Sequence, residues 1–261
     1  MSCLARLWDD PEWRSSQHAS EISGALMVAL TDDDAATRFF AAEAAPLLGG
    51  EAESSIELIK GRLLAERQPD VAAVLARQLF RFRNSYHAKI DDVLGEIVAS
   101  NHWTALVQTK SDGTRAHAVA AVAELALYIA IRWRTPVATA LVADWFRHPI
   151  DSDAASHAIS AIRPWLALPD ERADERARAF ALTRLAALVR NELRATDPEQ
   201  SSFRHVHRRT GSIVADIYYA SGAHTSTTNL AHEATSGFAE EAFETLALLT
   251  EFRTPRSFTT R

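Results

Sequence analysis

Apolar residues recur at intervals of three and four along much of the chain, and short acidic or proline-containing segments interrupt them. That spacing is the signature of amphipathic helices. In "SEISGALMVAL" (residues 20–30) Ile22, Leu26 and Leu30 share one face. In "SSIELIKGRLLAE" (54–66) Ile56, Ile59 and Leu63 do so, and Ser54 and Glu57 stand at capping-box spacing. "KIDDVLGEIVAS" (89–100) contributes Ile90, Val93, Leu94, Ile97 and Val98. "PVATALVADWFR" (136–147) opens with proline, which suits a first helical turn.

A second helix is expected after each of these. "LTDDDAATRFFAAEAAPLLGG" (30–50) starts with three acids, which accept hydrogen bonds from free N–H groups and suit the helix dipole. Its stripe of Ala35, Phe39, Ala42 and Pro46, with Phe40, Ala41, Ala44, Ala45 and Leu48 beside it, lets a neighbouring helix come close. Gly49 and Gly50 predict the end, and Pro46 predicts a bend or a stop just before it.

The pattern returns. "DGTRAHAVAAVAEL" (112–125) repeats the Thr-Arg step and its following alanine, and "DSDAASHAISAIRPWL" (151–166) repeats the acidic entry. "QPDVAAVLARQLFRF" lies between them, with Asp70 as the expected cap. Anchoring on Thr37, Val74, Thr114 and Ser156 gives spacings of 37, 40 and 42 residues. Periods of this size belong to two-helix repeats that stack into solenoids.

An acidic cap followed by Thr-Arg and a face of alanines resembles the second helix of a HEAT or armadillo-type repeat. "DDDAATRFFAAEAAPLL" carries the likeness best and "SDGTRAHAVAAVAEL" next, over roughly residues 20–168. Threonine replaces valine at Thr37 and Thr114, and the arginine is replaced at Leu75 and His157. The resemblance implies an all-α fold, an α-solenoid of stacked antiparallel helix pairs, and a habit of binding other macromolecules without any one activity.

The C-terminal third breaks the rhythm. One long helix is expected over 170–195, another over about 202–221 and a last one over 239–252, with polar loops at 196–202 and 221–229. The expected layout is HEAT-like repeats over 1–168, helices continuing or capping the array over 169–252, and a fraying tail over 253–261. A solenoid needs polar end caps. The first clear repeat begins within about 20 residues of the start. The chain is therefore expected to be the end of a larger protein or a subunit of a complex.

Composition agrees with helix: nine glycines and nine prolines among 261 residues are too few for a β-sandwich. A net charge of −6 disfavours a general nucleic-acid or membrane-surface binder. No apolar run reaches the roughly 18 residues that span a bilayer. The single cysteine, Cys3, excludes an internal disulfide, so a reducing, cytoplasmic setting is expected.

Candidate chemistry is sparse. His205, His207, His224 and His232 lie near one another in sequence, but residues two apart on a helix do not share a face, and "HEATS" lacks a second histidine. No metal site, cofactor or catalytic residue is assigned. Three stretches interleave arginine with aromatics: "FRFRNSYH" (80–87), "IRWRTP" (131–136) and "FRHVHRR" (203–209). They make Arg83, Arg132, Trp133, Arg134, Arg204, His205, His207, Arg208 and Arg209 the candidate binding residues. Arginine near a helix end also complements the dipole there while the aromatic packs inward. Trp8 and Trp13 are expected to cap the first repeat or to anchor a partner.

The expected function is a non-enzymatic scaffold for another protein. The alternative is a nucleic-acid-binding protein, or a HEAT-like DNA glycosylase, which would need these arginines on one concave surface. A modifying enzyme using the histidines as acid and base is the third reading.

Overall fold

The computed structural model describes residues 9–108 and 113–145, with residues 154, 157, 158 and 161. The chain divides into two compact units, Met1–Val142 and Ala143–Arg261. About 82 % of the described part is helical and none of it is strand, so the fold class is all-α. The helices expected at 151–166, 170–195, 202–221 and 239–252 lie outside the described residues or almost wholly so, as do Cys3, Trp8, Ser156 and the side chains of Thr114 and Arg115.

In chain order the helices are α1 (Pro11–Arg14), α2 (Ala19–Ala29), α3 (Ala35–Leu48), α4 (Ala52–Ala65), α5 (Pro69–Gln78), α6 (His87–Ala99), α7 (Asn101–Gln108), α8 (Gly113–Trp133) and α9 (Pro136–Trp145). A 3₁₀ turn, Leu79–Phe82, extends α5.

The acids before α3 start it, as expected. Asp34 is extended, and its carboxylate accepts from the Thr37 N–H at 2.8 Å and the Thr37 hydroxyl at 2.9 Å. The Thr37 amide bond is the main reason that this carboxyl is held below its ordinary pKa. Asp32 accepts the Asp34 N–H at 2.8 Å, which tightens the turn. Pro46 does not end the helix, which continues to Leu48. A proline removes one ladder bond, and the buried position of Pro46 supplies packing instead. The stop comes at Gly49 and Gly50, where Gly50 takes φ 74°.

Gly49 is required for a different reason. A Cβ there would collide with the backbone nitrogen of Ser55 and lie 2.6 Å from its hydroxyl, because α4 starts directly against this turn. Gly49→Ala is expected to destabilise the protein by about 2 kcal/mol, as overpacking against immobile backbone does. A urea midpoint equal to wild type would contradict this close approach.

Two expected caps are corrected. α4 starts at Ala52, so Ser54 lies inside its first turn and the Ser54–Glu57 box does not form. Glu57 instead pairs with Lys60 and Lys89. α5 starts at Pro69, with Gln68 at the cap position, so Asp70 complements the dipole within the first turn and caps nothing.

The sequence reading also passed over α7. Ser100 makes this helix possible: its hydroxyl donates to the Ile97 carbonyl at 2.6 Å and accepts from the Trp103 N–H at 3.1 Å. One side chain thereby closes α6 and opens α7. The helix expected over 112–125 is longer, with 21 residues, and ends where Arg134 enters the left-handed region at φ 55°.

Within the first unit α5 packs against both α3 and α8, while α4 packs against α3, α5 and α6. Ala41, Ala42, Ala44 and Ala45 of α3, Ala72, Ala73 and Ala76 of α5, and Ala118, Ala121 and Ala123 of α8 are buried. Small residues at these positions let the helix backbones approach closely. Leu26, Ile56, Ile59, Leu75, Leu79, Ile90, Leu94, Leu125, Leu127 and Ile129 are the largest fully buried side chains.

Two polar clamps cross this core. Arg38 donates to both carboxylate oxygens of Glu66, at 2.8 and 2.9 Å, and also to the carbonyls of Asp32 and Asp33. Asp91 on α6 accepts from the Thr135 hydroxyl at 2.7 Å and from the N–H groups of Val137 at 3.0 Å and Ala138 at 2.7 Å. Asp91 thus caps α9 from a distant helix.

Candidate interaction surface

Two of the arginine-aromatic stretches meet in space. Leu79 is fully buried and pins the 3₁₀ turn after α5. Residues 83–86 then turn the chain toward α6, beside the last turns of α8. Arg83 folds back, donating from Nη1 to the Phe80 carbonyl at 2.6 Å. Its guanidinium lies 5.0 Å from the Tyr128 ring centroid and 5.9 Å from that of Phe80. Arginine over an aromatic face is an attractive arrangement that also fixes the side chain.

Tyr128 completes the link by donating its hydroxyl to Asn84 Oδ1 at 2.8 Å. His87 Nδ1 lies 3.2 Å from the Asn84 carbonyl, which suits the tautomer carrying its proton on Nδ1. The imidazole stacks on Trp133 with centroids 4.2 Å apart and planes 7° from parallel. Phe82 and Tyr86 meet edge to face at 6.3 Å. Hydrogen bonds through Asn84 thus tie Tyr128 to the His87–Trp133 stack, in which Trp133 is still 39 % exposed.

Arg83 and Trp133 therefore belong to one cluster. Arg132 lies one helical turn beyond Tyr128, Arg134 follows Trp133, and both are exposed. Arg204, His205, His207, Arg208 and Arg209 lie outside the described residues. Sequence reasoning missed Tyr128 and Asn84, which join the two stretches, and did not connect His87 to Trp133. The local signal was present in "FRFRNSYH", but the pairing spans 44 residues and has no local trace.

Trp13 is exposed on the short helix α1, Trp103 is buried on α7, and Trp145 is buried near the end of α9. Among the described residues no group of three or more His, Cys, Asp or Glu side chains is placed to hold a metal ion. Among them too, no helix is long and apolar enough to cross a membrane.

The cluster suits recognition by contact. It offers a flat indole, held in place by the imidazole beneath it, with guanidinium groups nearby. Comparison with known proteins adds no kinship to this picture: no family model, no curated protein and no solved structure matches the chain.

Proposed function

We propose that this protein is a non-enzymatic scaffold built from HEAT-like helix pairs, and that it engages a protein partner through the surface around Trp133. The observation that carries the reading is the partly exposed indole stacked on His87, which Asn84 and Tyr128 link to a fixed Arg83. Tryptophan and arginine dominate the binding energy of protein interfaces. A side chain already immobilised loses little entropy on binding.

The HEAT-like part of the proposal draws support from the packing. Helices expected to be the second members of successive repeats, α3, α5 and α8, contact one another in that order. Of the expected first members, α4 packs against α6, while α2 packs against α3. The nucleic-acid alternative is less favoured by the same cluster. A guanidinium that stacks on bases needs an open face, and that of Arg83 is engaged with Tyr128 and Phe80. The net charge of −6 points the same way.

Affinity capture from a lysate with the full chain, with and without nuclease and at low and high salt, tests this. A protein partner should persist through both treatments, and Trp133→Ala should weaken its binding about 30-fold, the effect of losing an interface hot spot. Equal capture by the variant would remove Trp133 from the interface. Recovery of nucleic acid that disappears at high salt would favour the alternative.

A further inference from the structure

His102 is in an unusual position. It lies in the first turn of α7, and its Nε2 is sealed from solvent without a hydrogen-bond partner, the one such side-chain atom among the described residues. It borders a small cavity lined by Leu63 and Leu64 of α4, Ile97 of α6, Trp103 of α7, and Ala118 and Val122 of α8. Ser100 also lines the cavity, but its hydroxyl is committed to Ile97 and Trp103.

We infer that His102 is a pH-sensitive latch: α7 stays seated on α6 and α8 while the imidazole is neutral and is released when it takes a proton. Protonation would put a charged N–H donor among apolar side chains with no acceptor there, a state that proteins avoid. The charged groups around the site do not relieve it. Just past the end of α4 the acting charge is the Glu66 carboxylate, already held by Nε and Nη2 of Arg38. The cavity residues supplied by α6 and α8 carry no charge.

Burial accordingly lowers the pKa of His102, and the attraction of Glu66 opposes this only in part. The open form therefore binds the proton more readily than the seated form. Seating is insensitive to pH above the ordinary imidazole value of about 6.5 and weakens as pH falls below it. The Asp34, Glu57 and Glu66 carboxyls are held below the ordinary range and stay ionised at about pH 5.5. Burial raises the pKa of Glu124, and nine of the chain's 10 histidines lie elsewhere, so variants at position 102 assign the response to His102.

Hydrogen exchange of the full chain at pH 7.5 and 5.5, corrected for intrinsic rates, tests the latch. Protection of the Trp103 and Thr104 amides, which bond to Ser100, should fall by as much as about tenfold at the lower pH, the limit set by an ordinary imidazole in the open form. Protection in α5 should hold. His102→Leu and His102→Gln, both unable to titrate there, should each abolish the response. An NMR titration of His102 in the wild-type chain gives a reading that needs neither variant. The latch is overturned if α7 protection is independent of pH, if either variant keeps the response, or if His102 titrates at or above its ordinary value.

Discussion

Replacing Asp91 with alanine is expected to cost about 4 kcal/mol of unfolding free energy, one of the two largest effects among single changes considered for this fold. Asp91 is 3 % exposed and receives three donors: the Thr135 hydroxyl and the N–H groups of Val137 and Ala138. Alanine would leave all three without an acceptor, and each buried donor left unpaired costs about 1–3 kcal/mol. Partial relaxation keeps the sum below three full penalties. An asparagine side chain could keep its oxygen at the Oδ1 place, which accepts from Thr135 and Ala138, but would turn its NH₂ group toward the Val137 N–H, so Asp91→Asn should cost roughly half as much. Urea unfolding followed by helical signal measures both. A loss below about 1 kcal/mol for Asp91→Ala would mean that α9 is held by its apolar contacts and not by this cap.

The second large effect concerns Arg38 and Glu66, whose side chains are 16 % and 6 % exposed. Glu66→Ala should cost about 3 kcal/mol, because it leaves a part-buried guanidinium without its carboxylate and with the Asp32 and Asp33 carbonyls as its remaining acceptors. It also removes the acceptor of the Gln68 N–H, which bonds to Glu66 at 2.8 Å. The paired change Arg38→Met with Glu66→Leu should recover a good part of that loss, since apolar replacement of a whole buried ion pair is often close to neutral. A double variant as unstable as the sum of its singles would show that the two residues act independently.

The same pair sets an acid limit. Burial alone would raise the Glu66 pKa, but hydrogen bonds from Arg38 and the Gln68 N–H outweigh it, and the folded value lies below the ordinary one. A carboxyl with a depressed folded pKa stabilises the fold fully above its unfolded value, about 4.3, and loses that contribution as pH falls through the folded value. In the Glu66→Ala variant this part of the acid sensitivity should be absent. This window opens at a lower pH than that of His102, about 4.3 against about 6.5.

Local features were readable from the sequence, and long-range ones were not. The Asp34 cap, the Gly49–Gly50 stop and the proline start of α9 each depend on a few neighbouring residues. The recurring Thr-Arg step marked Arg38 as special, but its partner Glu66 lies 28 residues away and nothing local names it. Asp91 shares a helical face with Leu94, and only the fold shows that α9 brings three donors to that face. α7 escaped notice because eight residues carry too little periodicity to separate a short helix from a loop. The ring cluster was half visible: both stretches stood out, but Tyr128, which joins them, reads as an ordinary position within an alanine-rich helix.

The central claim is that the surface at Trp133 meets a protein. Site-specific photo-crosslinking tests it most directly, with a photoreactive amino acid in place of Trp133 and a second chain carrying it at Gly61, an exposed position on α4 where an added Cβ meets no atom within 4 Å. The account predicts a discrete protein adduct from position 133, insensitive to nuclease, and none from position 61. Adducts to nucleic acid, or equal protein adducts from both positions, would contradict it.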